Sequence, residues 1–317
     1  MLLAVHPTQI VLIALGLFVV SFALYSLLAS ETGMRFGVYW GVSCRILRRH
    51  GDVERRGVAQ ATACCGRRFN MHTRVALVTG ASRGIGRAIA VELARAGFAV
   101  GVNYVHRLDQ AEETVAAITA GGGEASTLQA DVADSQAVEA MFATLDRRFG
   151  RLDALVNNAG VGTRIESLTD IDDATWRRTL AVNLDGAFYC IRAAVPRLQA
   201  AGGGRIVNIS SGAAKTGGMI GAHYAASKAG LLALTAKAAR ELAREGIAVT
   251  AVLPSVIETE MLDALAGSPE ARERLRAQFP IGRFGRPEEV AQVVRFLIAE
   301  APSYLTGEFV SLRGGRL

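Results

Sequence analysis

Tyr224 and Lys228 stand four residues apart in the run Tyr-Ala-Ala-Ser-Lys, a short way downstream of Ser211. They lie inside an apolar stretch, Ala222 to Leu234, whose 3.6-residue period is that of a helix, so both side chains leave the same face. A phenol with a pKa near ~10 is a poor proton relay at neutral pH. A lysine ammonium ~4 Å away, at an effective dielectric of ~20, would favour the phenolate by roughly 4 kcal/mol, about 3 pK units. A tyrosine so placed can give or take a proton near pH 7. The same spacing also occurs as an ordinary surface pair on a helix, so the chemistry rests on the company the pair keeps.

That company is a chain built to position it. From Arg74 onward, apolar runs alternate with amphipathic segments, as a parallel sheet covered by helices requires. The pattern predicts strands over 74–79, 98–104, 125–130, 152–157, 205–210, 247–253 and 308–312. Helices are expected around 85–96, 109–120, 134–149, 172–199, 222–245 and 287–299. The product is an α/β fold, a doubly wound parallel sheet of Rossmann type, with its ligand crevice at the carboxyl ends of the strands. The first strand runs into Thr79-Gly80-Ala81-Ser82-Arg83-Gly84-Ile85-Gly86. Glycines there let backbone N–H groups approach a pyrophosphate, and the following helix aims its positive dipole end at the phosphates.

Charge and hydropathy divide the chain into an extension, residues 1–70, and a single catalytic domain, residues 71–317. The extension holds eight Arg and no Lys against Glu31, Asp52 and Glu54, so it carries +5 of the net charge of +6. The basic balance therefore belongs to the extension, and no nucleic-acid surface follows from it. Ile10 to Ala29 is an uncharged run of about twenty residues, long enough for a bilayer core of ~30 Å. Read as a transmembrane anchor, followed by Arg35, Arg45, Arg48 and Arg49, it leaves the catalytic domain cytoplasmic. Residues 1–70 also read as upstream sequence from a misplaced start, with Met71 the true one, or as a buried extension. A cleaved signal peptide lacks the basic segment it needs. Cys44, Cys64 and Cys65 lie in the extension and Cys190 alone in the domain, the usage of a reduced, cytoplasmic protein without a disulfide framework. The five histidines have no metal-ligand spacing, so no metal is expected.

The spacing Gly-x-x-x-Gly-x-Gly, followed by Asn157-Asn158-Ala159-Gly160, Ser211, Tyr224 and Lys228, resembles the short-chain dehydrogenase/reductase family over residues 73 to 315. The resemblance implies a catalytic tetrad of Asn183, Ser211, Tyr224 and Lys228. Ser211 would hydrogen-bond the substrate carbonyl and Tyr224 would protonate its oxygen during reduction. Lys228 would hold the nicotinamide ribose, and Asn183 would anchor a proton-supplying water. By itself Asn183 also reads as a buried amide tying two elements together, and Ser211 as a strand-end cap. The resemblance further implies a cofactor set of Gly80, Ser82, Arg83, Gly84, Ile85 and Gly86 in the loop, Asn103 at the second strand, and Asp131 and Val132 after the third. Asn158, Ala159 and Gly160 follow the fourth strand, Pro254, Ile257 and Thr259 the sixth, with Tyr224 and Lys228 completing it. Leu253 and Ser255 depart from the Asn and Gly that usually flank that proline.

Charge argues the cofactor. An NAD site places an acid at the end of the second strand to hold the ribose hydroxyls. Here the strand ends Val102-Asn103-Tyr104-Val105-His106-Arg107, with no acid before Asp109, and Arg83 offers a guanidinium suited to phosphate. NADP(H) is the expectation. The segments around Ser211 and Tyr224, together with Gly282 to Val290 and Tyr304 to Gly307, most resemble 3-oxoacyl-(acyl-carrier-protein) reductases, which implies a 3-oxoacyl thioester as substrate. Docking of an acyl carrier protein has no support in this chain, where Arg205 is the only basic residue of its stretch and Glu245 replaces a usual basic one. Another small or cyclic ketone or alcohol fits the same motifs. A non-catalytic dinucleotide-binding sensor is the alternative of a different class. Residues 255–280, with Met261, Leu262, Leu265, Leu275 and Phe279, are expected to form a substrate-selecting lid. Relatives assemble through their last strand and long helices, so a homotetramer is expected, with Arg313, where Asp is usual, as a disturbance of that contact.

Overall fold

The computed structural model describes residues 73–316, apart from the side chains of residues 264–266. The extension, including the hydrophobic run 10–29, and the side chain of Leu265 lie outside the described residues. Seven parallel strands form one sheet in the order β3-β2-β1-β4-β5-β6-β7. They are β1 (Val75–Val78), β2 (Ala99–Tyr104), β3 (Ala125–Gln129), β4 (Ala154–Asn157), β5 (Gly204–Ile209), β6 (Ile247–Pro254) and β7 (Phe309–Leu312). Every expected strand is present, displaced by at most two residues at an end. The order reverses between β1 and β4, and such a switch point opens a crevice at the carboxyl ends of the strands.

Near-continuous apolar strands such as Val75–Val78, buried at every position, mark a sheet covered on both faces. Alternation divides the core. Ala76 and Val78 face a layer containing α1 (Gly84–Arg95), α2 (Leu108–Ala120) and a late helix, Pro287–Ala299, while Val75 and Leu77 face the opposite layer. The opposite layer carries α3 (Ser135–Phe149), whose Asp134 accepts hydrogen bonds from Gln136 N and Ala137 N as N-cap, and whose end is set by Gly150 in the left-handed region at φ 74°. Asp/Asn caps and a left-handed glycine are the standard chemistry of helix starts and stops.

The helix expected over 172–199 is interrupted. It consists of α4 (Asp173–Leu180), a π-turn (Ala181–Asp185) and α5 (Gly186–Ala200). The insertion holds Asn183, and π-turns of this kind collect at functional sites. Next come a short α6 (Ala213–Thr216) and the long α7 (Ala222–Leu242). The region 255–280 contains α8 (Glu260–Ala266) and α9 (Pro269–Arg276), with Pro287–Ala299 as α10. Neither lid helix was predicted as such, because each is about two turns long and too short for periodicity to register. Among the described residues no helix is long and apolar enough to cross a membrane, and no group of three or more metal-ligating side chains assembles.

Candidate active site

A cavity of about 1060 Å³ runs along the carboxyl ends of the strands, at the large end of small-molecule sites. Its first wall is the glycine loop. Thr79 Oγ1 accepts from Asn158 N and Ala159 N, both at 3.0 Å, and donates to Val156 O at 3.3 Å. Asn158 Nδ2 donates to Thr79 O at 2.9 Å and Gly80 O at 3.0 Å. Asn158 therefore belongs to the cavity wall but spends its amide on holding the loop, as does Asn103. Asn103 is buried behind the loop, accepts from Gly80 N at 3.0 Å and donates to Leu128 O and Ala130 O at 3.1 Å. It supports the cradle from beneath and does not line the cavity.

Gly86 lies against that cradle: a Cβ there would run into the Gly80 carbonyl oxygen and Asn158 Nδ2. Arg83, the residue before α1, offers no side-chain cap to the helix. The first N–H groups of α1 are thus free of an intrahelical partner, and they open on the cavity between Gly84 and Gly86. A glycine cradle ending in an uncapped helix start fits a dinucleotide pyrophosphate. Asp131 lines the same wall, accepts from Ala133 N at 3.0 Å and pairs with Arg178 at 2.9 Å. Val132 packs against Gly186, where no side chain would fit.

The second wall carries three of the four residues expected as a tetrad, Ser211, Tyr224 and Lys228. Tyr224 and Lys228 rise from one face of α7 and both are buried. Ser211, just past the end of β5, lines the same wall of the cavity as Tyr224, and its Oγ accepts from Ala213 N at 3.1 Å. Lys228 Nζ donates to Ile209 O at 2.9 Å and lies 5.8 Å from the centre of the Tyr224 ring. The electrostatics differ from the sequence expectation of a lysine-depressed phenol. Burial pushes the Tyr224 pKa up, opposed by the Ser211 hydrogen bond, and burial brings Lys228 down to about 8. The ammonium is directed at a carbonyl and desolvation is the larger effect.

Asn183 is almost fully enclosed. Its Oδ1 accepts from Val161 N at 2.8 Å, and its Nδ2 donates to Val161 O at 2.9 Å and Ser227 Oγ at 3.0 Å. Its amide is the tie between the loop after β4 and α7, which leaves no amide hydrogen to direct at a water. Ser227 completes the tie by donating to Tyr224 O at 2.7 Å. Ser227 and Gly162 went unread in the sequence. A Cβ at Gly162 would come within 2.9 Å of the Tyr224 ring, and nothing local in the sequence signals such a contact. Pro254, Ile257 and Thr259 line the cavity. Leu253 is buried with Leu232 and Ala251, so this departure from the family pattern is absorbed as core packing.

The region 255–280, expected as a lid, follows β6. Leu262, Leu275 and Phe279 are buried together with Phe284, while Met261 lines the cavity and is half exposed. At the other end, β2 hands over to Val105, His106 and Arg107, all lining the cavity. Asp109 is bound to Arg107 at 3.0 Å and does not line it. Arg83 is ion-paired with Glu260 at the start of α8, a contact across the mouth of the cleft that sequence reading missed. Arg205 sits at the amino end of β5 and donates to Ala301 O at 2.7 Å, and Glu245, just before β6, faces the same edge of the sheet, away from the cleft. Arg313, expected at a subunit contact, lines the cleft.

Comparison with known proteins places this arrangement. A family described as enoyl-(acyl carrier protein) reductase matches residues 80–316. A 3-oxoacyl-[acyl-carrier-protein] reductase of Staphylococcus aureus is 44% identical over 243 residues, covering 77% of this chain and 98% of the relative. An uncharacterized oxidoreductase of Escherichia coli is 42% identical over 247 residues, covering 76% and 99%. Among solved structures, a dehydrogenase/reductase from Sinorhizobium meliloti superposes with a TM-score of 0.71 at 34% identity, covering 78% of this chain and 96% of that one. With its parallel sheet, glycine cradle and Ser-Tyr-Lys wall, the chain belongs to the short-chain dehydrogenase/reductase family of oxidoreductases.

Proposed function

We propose that the protein is an NADPH-dependent reductase that converts a ketone to a secondary alcohol, with a 3-oxoacyl thioester as the substrate class its relatives favour. The observation that carries the reading is that Ser211, Tyr224 and Lys228 line one wall of the same cavity that holds the glycine cradle. NADPH held in the cradle supplies a hydride. Ser211 and Tyr224 converge on one point, where a carbonyl oxygen receives two hydrogen bonds as negative charge grows on it. Tyr224 then gives that oxygen its proton. A phenol whose pKa is raised by burial stays protonated at neutral pH, which is the form a proton donor needs. Lys228, buried and fixed by Ile209 O, keeps a positive charge beside the phenolate that remains. Asn183 and Ser227 hold α7 and the loop after β4 in register.

The phosphate preference rests on the β2 end of the cavity, where β2 itself brings no carboxylate to the lining and Arg83 and Arg107 stand, Arg83 paired with Glu260 from α8. A carboxylate there would repel a 2′-phosphate, and guanidinium groups attract it. Catalysis in a cytoplasmic setting and assembly as a homotetramer accompany this reading, the latter supported by the half-exposed Phe188 on α5 and the exposed Arg192 over its ring. The test is oxidation of NADPH and NADH by the full-length protein with acetoacetyl thioesters and a panel of simple and cyclic ketones. Thioester turnover with NADPH is expected. Turnover of ketones alone moves the substrate elsewhere, and no turnover of any carbonyl refutes the reading.

A further inference from the structure

The cleft carries a charge imbalance that hydride transfer and proton donation leave unused. Six basic side chains line it, Arg83, Arg107, Arg178, Lys228, Arg313 and Arg316, against two acidic ones, Asp131 and Glu260. Both acids are committed, Asp131 to Arg178 and Glu260 to Arg83. Arg107 is held by Asp109, and Lys228 by Ile209 O. Two guanidinium groups remain. The Arg313 side chain has no ion pair or hydrogen bond among the described residues, and Arg316 lies 5.3 Å over the Phe279 ring without an acid.

Their place in the fold assigns them to the substrate end. Gly212, next to Ser211, donates its N–H to Pro254 O at 2.9 Å, and Ser255 N donates to Leu312 O at 2.9 Å. Arg313 follows Leu312. It therefore stands two strands from Ser211, about 10 Å at a strand spacing of ~4.8 Å, on the side away from the glycine cradle. Leu262 lines the same cleft, and Phe279 lies beside Gly314, the residue after Arg313. An unpaired guanidinium beside apolar cover, within a partly enclosed cleft, suits a carboxylate or a phosphate because it offers a planar pair of donors.

We propose that Arg313, with Arg316 at the rim, is an anion subsite that selects substrates carrying a carboxylate or phosphate remote from the reacting carbonyl. The proposal rests on the reductase reading and narrows its substrate. The anion has two sources, a carboxylate on the ketone itself or a phosphate on the arm that carries a thioester.

Two matched pairs of probes separate them: 4-oxopentanoate against its methyl ester, and acetoacetyl-coenzyme A against the uncharged acetoacetyl-N-acetylcysteamine. With the full chain, the charged member of at least one pair has the lower KM. Arg313→Gln raises that KM by about tenfold or more, while kcat and the KM for NADPH stay within about twofold and the neutral member is unaffected. Arg313→Lys recovers part of the loss. An effect confined to 4-oxopentanoate identifies the substrate's own carboxylate, and one confined to acetoacetyl-coenzyme A the carrier phosphate. Equal KM values within both pairs, or a preference that persists in Arg313→Gln, overturn the subsite while leaving the reductase intact. Should no carbonyl be reduced, binding of 4-hydroxypentanoate to the protein–NADPH complex, read by NADPH fluorescence, decides. An Arg313-dependent preference over the methyl ester upholds the subsite without the reductase, and equal binding removes both.

Discussion

The two ends of the cleft are built differently. At the cradle end, Thr79, Asn103 and Asn158 are tied into the backbone of β1 to β4 by hydrogen bonds that need no ligand, and β1, β2 and β4 beneath are buried at every position. At the lid end, α8 and α9 are short, their ion pairs Arg272–Asp263 and Arg276–Glu273 are largely exposed, and four side chains form the whole buried cluster. The first end is preorganised for a cofactor common to many enzymes. The second has the few buried contacts of a segment that opens locally, which suits a part that must admit and choose a substrate.

The largest test of this contrast is Gly86→Ala. The added methyl meets backbone and a committed amide, neither of which can yield, so NADPH affinity should fall by ~100-fold or more and stability by about 1–3 kcal/mol. Affinity retained within a few-fold would show that the cradle has slack. Arg83→Gln comes next. It should raise the KM for NADPH by ~10-fold or more and that for NADH by less than ~2-fold, since only one of them bears the phosphate a guanidinium would hold. Equal changes would remove the cofactor assignment. Glu260→Gln frees Arg83 and should lower the KM for NADPH.

Paired leucine truncations sharpen the contrast further. Leu77→Ala in the sheet should cost about 2–5 kcal/mol in denaturant unfolding. Leu262→Ala, under the lid, should cost less than half of that, since the lid opens without the sheet, and should raise the substrate KM instead. Similar losses from both would make lid and sheet one cooperative unit.

The smallest effect is on pH. Burial lowers Lys228 from 10.5 to about 8, so between those values the unfolded chain holds a proton that the folded one has lost. Stability therefore rises with pH across that window, by about 3 kcal/mol at most. The reduction rate should move the opposite way, falling as pH climbs through about 8 and the ammonium beside Tyr224 is lost. Lys228→Arg should shift that limb above pH 10. A rate that is flat from pH 7 to 10 would separate the lysine charge from the chemistry.

What the sequence made legible follows the same division. Seven strands could be located because buried parallel strands read as short apolar runs, and the glycine loop and the Tyr224–Lys228 pair stood out because glycine spacing and Tyr-x-x-x-Lys are local patterns. The break at Asn183 was hidden, because a π-turn keeps helical composition and is specified by a distant partner, Val161. The Arg83–Glu260 contact spans 177 residues, and the role of Gly162 depends on a ring that folding brings to it. The shift of the Tyr224 pKa was misjudged for a related reason. Spacing gives the distance of a charge but not the burial that outweighs it.

Tyr224 as the proton donor is the centre of the proposed chemistry. The most direct measurement compares single-turnover NADPH oxidation by the full-length wild type and Tyr224→Phe with one reducible ketone, alongside NADPH binding by fluorescence. The expected result is a loss of about 10²–10⁴-fold in rate, the span of general acid catalysis, with NADPH affinity within about threefold, since the ring and its packing remain. A Tyr224→Phe protein that turns over at the wild-type rate would contradict it.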